Sequence, residues 1–368
     1  MSEYQFFDFQ TIDRVLTEQE QAEIHKLSSR VALTPTQAVF TYQFGDFRGK
    51  PEKVLAQYFD AMLYLANWGT RQLMFRFPKS LIDLAQAQLY KVEDVMEFQE
   101  AGNYILLDIR FDEEDVEFWI EGEGRLSSLV RLRDDVLRQD YRLLYLAWLK
   151  AISINTLDES EHEPPVPPGL HSLSAALRDF VDLFELDKHL LAVAARASGD
   201  QGKIPAPDLR QAIHHLSRKE CDDYLLRLAK DEPYLSMVLN TRLRQGAASP
   251  HSTSIASRTV KQLLASAEQE RDEEKRRHAQ EAEEKRIQEL EALARREGEA
   301  WQQVETLLQK SNAKTYDQAV QLLSRLREVA ARQKQEGIFQ KRLNGIHERY
   351  KTRHSLIEKL RAAGLYNA

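Results

Sequence analysis

The feature that most constrains this chain is a long run of helix-forming residues in its C-terminal third. Residues 258 to 308 contain no proline and one glycine, and most of their side chains favour the helix. At a rise of 1.5 Å per residue, the run predicts a single helical rod of roughly 75 Å. A rod of this length cannot bury itself, so it must separate or connect the parts on either side.

Residues 269 to 286, inside this rod, are almost wholly polar. Residues 269 to 286 place opposite charges four residues apart, as in the pairs Asp272 with Arg276 and Glu281 with Lys285. Each such pair stabilises an exposed helix by about 0.2–0.5 kcal/mol, so the rod is expected to stay helical in solvent. The apolar spacing that follows supports only two heptads, which leaves a coiled coil and self-pairing through this helix open.

The part before the rod predicts two domains. Strand-like and helical segments are mixed within residues 1 to 157, which favours an α+β domain with helices on one face of an antiparallel sheet. The acidic, proline-rich segment 158 to 169 predicts a linker. Residues 170 to 247 show only helical patterns and predict a helical domain. The small polar residues 248 to 257 predict a flexible joint.

The part after the rod, residues 309 to 368, predicts a basic helical hairpin. Its two helices are expected over 315 to 333 and 338 to 350, with a turn at Glu336-Gly337 and a short final helix. The chain as a whole is therefore expected to be predominantly helical. The predicted packing core of the hairpin consists of Leu322, Leu326 and Phe339. Its predicted partner-binding face consists of Lys341, Arg342, Arg349 and Arg353.

Composition excludes several classes of protein. No apolar run approaches the roughly 18 residues that a membrane span needs. The first ten residues lack the basic and apolar regions of a secretory signal. The single cysteine, Cys221, excludes an intrachain disulfide and a cysteine-based zinc cage. A cytoplasmic protein that does not enter a membrane is the expectation.

Charge divides the chain into an acidic and a basic part. Residues 1 to 247 carry 28 Lys or Arg against 40 Asp or Glu, whereas residues 309 to 361 carry 13 against 5. This asymmetry indicates either docking of the two parts or a basic end that binds an acidic partner. Nucleic acid is a candidate partner because clustered cations contact phosphates, although no known reader motif accompanies the charge.

Three short segments have a chemical interpretation beside a plainer structural one. The acidic run from Asp108 to Glu117 could hold a hard cation or form a solvated hairpin face. Cys221, near His214-His215, could be a nucleophile or a buried small hydrophobe. The segment Gly45 to Gly49 could hold a phosphate at a helix N-terminus or simply turn the chain. The structural interpretation is favoured in each case, so no catalytic, metal or cofactor site is predicted.

Four stretches of this chain resemble a family of bacterial proteins of unknown activity. They are YFDAMLYLANWGTRQLMFRFP (58 to 78), EPPVPPGL (163 to 170), YDQAVQLLSRLREVA and SLIEKLRAAGL. The C-terminal hairpin is also similar to the end of bacterial SWIM zinc-finger proteins, although this chain, with one cysteine, lacks the SWIM zinc ligands. The resemblance implies a docking module and a protein partner, such as a SWIM zinc-finger protein, and it implies no reaction.

These patterns together predict a non-enzymatic adaptor subunit of a bacterial protein complex. Such a subunit would tether a protein partner through its long helix and C-terminal hairpin. The alternative is a nucleic-acid-associated accessory subunit that uses the basic C-terminal module. The two hypotheses differ in the expected effect of salt, because phosphate contacts release counterions and weaken steeply as salt rises.

Overall fold

The computed structural model of the chain separates into two compact units, Met1–Arg271 and Asp272–Ala368. The predicted fold class is confirmed, because an antiparallel-sheet region with helices comes first and a long helix and further helices follow. The structure describes residues 4–113, 122–199, 213–230, 234–245, 258–310 and 312–366.

The first unit contains one antiparallel sheet, built from seven strands of the described chain. These are β1 (Gln5–Gln10), β2 (Ala32–Leu33), β3 (Gln37–Tyr42), β4 (Ala61–Ala66), β5 (Thr70–Pro78), β6 (Met96–Ala101) and β7 (Tyr104–Asp112). Their order in the sheet is β2-β3-β1-β4-β5-β7-β6. The register places Phe7 between Phe40 and Tyr64, so aromatic side chains line up across three strands.

Ten helices of the described residues complete this unit before the long helix begins. They are α1 (Glu18–His25), α2 (Pro51–Tyr58), α3 (Leu84–Ala87, continued by a 3₁₀ turn Gln88–Tyr90), α4 (Arg125–Leu129), α5 (Arg131–Leu137), α6 (Arg142–Ser153), α7 (Ala175–Leu183), α8 (Lys188–Ala197), α9 (Arg218–Ala229) and α10 (Leu235–Gln245). The start of α1 shows a sequence-encoded boundary. The Thr17 hydroxyl accepts a hydrogen bond from the Glu20 amide, and the Glu20 carboxylate accepts one from the Thr17 amide.

Both faces of the sheet are apolar, because side chains alternate between them along each strand. One face, which includes Leu63 and Phe75, packs in a large core with apolar residues of α4 to α8. The other face, which includes Phe9 and Met74, packs with residues of α1 and α2. The sheet is therefore a layer between two sets of helices rather than a sheet covered on one face only.

The proline-rich segment 158 to 169 does not separate two cores. Leu170 and Phe180, which follow it, are buried in the same core as the sheet residue Phe75. Pro164 is itself buried. Proline has no amide hydrogen that needs a partner, so its ring is buried at little cost in hydrogen bonding. The segment thus connects elements of one core, at least as far as the last described residue of that stretch, 199.

The long helix α11 (Val260–Arg295) begins in the core of the first unit. Val260 and Leu263 are buried there, and the Arg258 guanidinium donates hydrogen bonds of 2.8 and 2.6 Å to the Glu163 carboxylate. The helix ends at Arg295, so the predicted single rod is interrupted at Arg296. The predicted joint at 248 to 257 lies outside the described residues.

The second unit consists of the long helix from Asp272 onward and four further helices. They are α12 (Glu297–Gln309), α13 (Ala313–Arg332), α14 (Glu336–Tyr350) and α15 (His354–Ala362). Val304, Leu323, Leu343 and Leu356 are almost fully buried in their common core. The predicted hairpin, now α13 and α14, is thus extended by α12, which the sequence pattern had assigned to the rod.

The turn between α13 and α14 lies at residues 333 to 335. Lys334 adopts φ of 56° there, a left-handed conformation that ends a helix. Glu336 and Gly337, the predicted turn, are instead the first residues of α14. The glycine suggested the turn from the sequence, but the backbone reverses two residues earlier.

Candidate interaction surface of the C-terminal helical module

The predicted core residues of the C-terminal module all contact its apolar core. Leu326 and Phe339 are 2% and 5% exposed, and Leu322 is partly buried against the same cluster. The Phe339 ring also lies 5.7 Å from the Trp301 ring, centre to centre. Apolar residues at helical spacing on α13 and α14 therefore face α12.

Two of the predicted partner-binding arginines form ion pairs within the module. An Arg342 guanidinium nitrogen lies 3.3 Å from a Glu297 carboxylate oxygen, and the corresponding distance from Arg349 to Glu305 is 3.1 Å. Arg342 also lies over the Trp301 ring, 5.3 Å from its centre. Both side chains remain half exposed or more, but their charge is directed towards α12.

Arg353 has an internal role as well. Its guanidinium donates hydrogen bonds to the Leu308 carbonyl oxygen at 2.5 Å and to the Tyr316 hydroxyl at 3.1 Å, and it stacks on Tyr350 at 4.6 Å. The last carbonyls of a helix lack partners within the helix. Arg353 satisfies one of them at the end of α12, which makes it a capping residue of the fold.

Lys341 differs from the three arginines because its charge is available. It is exposed, and it forms no ion pair with any residue that the structure describes. Arg332 and Lys334 share both properties. Ile338, which lies between Lys334 and Lys341 in the sequence, is 55% exposed. We call Arg332, Lys334, Ile338 and Lys341 the turn surface, because they surround the turn between α13 and α14.

The rest of the module's positive charge divides into paired and available cations. Arg325, Arg327, Lys351 and Lys359 bind Glu289, the Gly364 carbonyl, Glu348 and Asp317, respectively. Lys310, Lys314 and Arg361 are exposed and, within the described chain, form no ion pair. The charge available to a partner is therefore well below the sequence count, because about half of the cations have partners inside the unit.

The acidic run near the end of β7 is also used internally. Asp108 accepts hydrogen bonds of 2.8 and 2.9 Å from the Gln72 amide, and burial raises the pKa of its carboxyl. Glu113 lies 2.8 Å from the Lys150 ammonium. Residues 114 to 121 lie outside the described chain. Among the described residues, no group of three or more His, Cys, Asp or Glu is arranged to hold a metal ion.

The histidine and cysteine candidates do not form a catalytic pair in the described structure. His214 and His215 are exposed, and Cys221 is partly exposed on α9. No hydrogen bond joins the Cys221 thiol to either histidine in the part of the chain that is described. The thiol is thus less buried than expected for a small core residue.

The glycine segment before α2 is a turn. Gly45 has φ of 91°, a conformation that favours glycine. The Phe47 ring lies 4.9 Å from Phe7 and 5.0 Å from Phe40, so it anchors the turn in the apolar core. Arg48 remains exposed.

Sequence reasoning missed a buried network of two carboxylates and two guanidinium groups. Asp60, which is fully buried, accepts hydrogen bonds from the amides of Ile12 and Asp13 and from Arg76 at 2.7, 3.0 and 2.7 Å. Arg133 donates two hydrogen bonds, of 2.9 and 2.6 Å, to Asp13. These residues are scattered through the first unit, so no spacing in the sequence relates them.

Two opposing effects set the pKa values of the carboxyls in this network: burial raises them, and hydrogen bonds and nearby arginines lower them. Burial would raise the pKa of Asp60, but the two amides and Arg76 more than offset it and hold the pKa below its usual value. Burial raises the pKa of Asp13 to about 6 despite the nearby Arg133. Every one of the four groups has a partner inside the fold, so the network links the loop after β1, β5 and α5.

No protein-family model, curated protein or solved structure matches this chain significantly. The resemblance to the C-terminal module of SWIM zinc-finger proteins therefore stays a prediction. No helix within the described residues combines the length and the apolar character of a membrane-spanning helix.

Proposed function

We propose that the chain is a non-enzymatic adaptor of the bacterial cytoplasm that binds a protein partner through its C-terminal helical module. The observation that carries the proposal is the division of the chain into two compact units. The module has its own apolar core, and it follows a long helix whose first turns are buried in the first unit. A separately packed module at the end of a long helix suits tethering.

The exposed middle of α11 supports this division. From Lys275 to Arg286 nearly every side chain is exposed, and the described contacts of this stretch are largely between charges three or four residues apart, as in Lys275 with Asp272. Such contacts keep a helix formed in solvent without a covering partner. In the adaptor proposal this stretch serves as a spacer within the chain.

Nucleic-acid binding is the second candidate function. Arg332, Lys334 and Lys341 offer available positive charge, and phosphates bind clustered cations. Two arginines of the predicted partner-binding face, Arg342 and Arg349, are paired with carboxylates of α12. The electrostatic attraction to a phosphate backbone is reduced accordingly.

The test is a comparison of the full chain with a truncated chain that ends at Gln280. The truncation retains Val260 and Leu263 and therefore keeps the core of the first unit intact. Tagged versions of both are purified from the native cell after nuclease treatment, and stoichiometric partners are identified by mass spectrometry and then produced separately for titration.

The adaptor proposal expects a defined protein that binds the full chain and loses at least 10-fold in affinity for the truncated chain. Circular dichroism should show that the truncated chain keeps its sheet signal. Equal binding to both chains would contradict the assignment to the module. Salt-sensitive binding of DNA or RNA by the full chain, with no protein partner, would favour the second function.

A further inference from the structure

We propose that the turn surface, together with Gly345 on the same side of α14, binds an acidic helix of a protein partner. This inference rests on the proposed adaptor function and specifies its contact. The predicted contact residues Arg342, Arg349 and Arg353 have partners within the module. The partner is therefore expected to contact the turn surface instead, whose cations form no ion pair in the described module.

Charge is the first argument for an acidic partner. Residues 332 to 345 contain four cations and one carboxylate, Glu336. Of the cations, Arg332, Lys334 and Lys341 are exposed and lack ion pairs in the described structure, while Arg342 is paired with Glu297. Clustered charge of one sign attracts the complementary surface and sets its orientation.

The second argument is the apolar centre of this face. Ile338 is among the most exposed large apolar side chains of the described chain, at 55%. It precedes Lys341 by three residues, so both lie on one side of α14. An apolar centre with a charged rim is typical of protein interfaces, whereas a phosphate backbone offers nothing for an isoleucine to pack against.

The third argument is Gly345, which continues the same side of α14 four residues beyond Lys341. Glycine inside a helix is less favourable than alanine. An added Cβ at Gly345 would meet no atom within 4 Å, so neither close packing nor positive φ inside the module requires glycine there. A missing side chain on an exposed helix face lets the backbone of another helix approach closely.

The direct test uses a fluorescein-labelled 20-residue peptide with leucine at heptad positions and glutamate beside them. A scrambled peptide of the same composition and a 20-base-pair DNA duplex are the comparison probes. Fluorescence anisotropy measures binding of each probe to the full chain at low and physiological salt. The amphipathic peptide is expected to bind at least 10-fold more tightly than the scrambled peptide, since only it forms an apolar stripe.

Two variants locate the binding face. The triple charge reversal Arg332→Glu, Lys334→Glu and Lys341→Glu should weaken peptide binding at least 10-fold. Its matched control reverses three available cations elsewhere in the module, Lys310→Glu, Lys314→Glu and Arg361→Glu, and should change binding less than threefold. Both triples alter net charge equally, so equal losses would show attraction by overall charge alone and overturn the proposal.

Gly345→Leu separates the interface from the stability of the fold. The module has open space at this position and leucine favours the helix, so the midpoint of thermal unfolding should stay constant or rise. Binding of the peptide should nevertheless fall at least 10-fold. Gly298→Leu, at a second open glycine in α12, is the matched control and should leave binding unchanged. Unchanged binding by Gly345→Leu would overturn the proposal.

The same variants distinguish this inference from the proposed function. If the partner protein identified with the full chain binds the triple and Gly345→Leu variants normally, the adaptor function stands and this contact is wrong. If no protein partner exists, both fail. Preferential binding of the duplex, or self-association in analytical ultracentrifugation that Gly345→Leu abolishes, would assign the face to nucleic acid or to a second copy and overturn the proposal.

Discussion

Asp8 on β1 is a buried carboxyl whose charge the fold compensates only with amides. Gln37 and Gln10 donate hydrogen bonds to it, and no cation pairs with it in the described structure. Burial raises its pKa to about 6, although both amides lower it. The folded protein therefore holds this proton more tightly than the unfolded chain, so the contribution to stability is largest below pH 4 and is lost between pH 4 and 6.

Asp8→Asn should stabilise the protein at neutral pH. It removes the buried charge and keeps an acceptor for Gln37, and a shift of one pKa unit corresponds to about 1.4 kcal/mol. We expect the free energy of unfolding to rise by about 1–3 kcal/mol at pH 7 and to be unchanged at pH 4, as measured by urea titration. Glu93→Gln, at an exposed position, is the control. An equal effect at both pH values would contradict desolvation as the cause.

Arg133→Leu tests the buried ion network. Arg133 is 1% exposed and donates to Asp13 and to the Arg76 carbonyl oxygen. Removing it leaves the largely but not fully buried Asp13 carboxylate without its cation, which costs up to about 3–5 kcal/mol. Adding Asp13→Asn should recover part of the loss, with a coupling of about 1–3 kcal/mol in a double-mutant cycle. The control Arg131→Leu, exposed on the same helix, should lie within about 0.5 kcal/mol of wild type.

Additivity of Arg133→Leu and Asp13→Asn would show that the pair contributes nothing beyond packing.

At the scale of single residues, the sequence predicts apolar contacts better than charged ones. Leu326 and Phe339 follow helical spacing and lie in the core. Arg342 and Arg349 looked like surface charge because their carboxylate partners on α12 lie about 45 residues earlier in the chain. No local pattern reveals an ion pair across that separation.

The long helix illustrates the same limit for elements. Helix propensity predicted one rod through residue 308, but α12 has its own buried residues, including Val304 and Leu308. Their packing with α13 decides where the helix is interrupted, and propensity holds no information about that core. The proline-rich segment is a second case. Proline is typical of segments outside helices and strands, so the segment was expected to link two domains. Pro164 is nevertheless buried.

The middle of α11 should be the least protected part of that helix. Val260 and Leu263 are buried, whereas residues 275 to 286 are mostly exposed. Local ion pairs of a few tenths of a kcal/mol protect amides far less than burial in a core. Hydrogen exchange followed by mass spectrometry should therefore show faster exchange at 275 to 286 than at 260 to 267. Raising salt should increase the difference, because exposed ion pairs are screened.

Protection of residues 275 to 286 equal to that of 260 to 267 would indicate that a partner or a second copy covers the helix. A protein-concentration series separates these cases, since self-pairing grows with concentration. Gln280→Gly, in the exposed stretch, should lower the local stability of the helix by about 1 kcal/mol. Amide exchange around residue 280 should therefore become faster. Ala265→Gly, at an exposed position near the buried start of the helix, is the matched substitution and should increase exchange less, because Val260 and Leu263 hold that part of the helix in the core.

At the scale of the whole molecule, the separate apolar cores of the two units say more about function than the opposite net charges of the two parts of the sequence do. The sequence predicted an acidic first part and a basic last part, and it left open whether they dock on each other. Much of the basic charge is neutralised within the second unit, for example by the pair of Arg349 with Glu305. Tertiary pairing of this kind cannot be read from net charge, because it depends on which helices are neighbours.

The two units should unfold in separate transitions. Leu323 and Leu146 are both fully buried, the first in the core of the second unit and the second in the core of the first. Leu323→Ala should destabilise one calorimetric transition by about 2–5 kcal/mol, and Leu146→Ala should destabilise the other by a similar amount. Each substitution should leave the transition of the other unit unchanged. The exposed stretch from 275 to 286 provides no apolar core that would couple the two transitions. A single transition that both substitutions shift would show one cooperative unit, and a tether between independently folded parts would then be excluded.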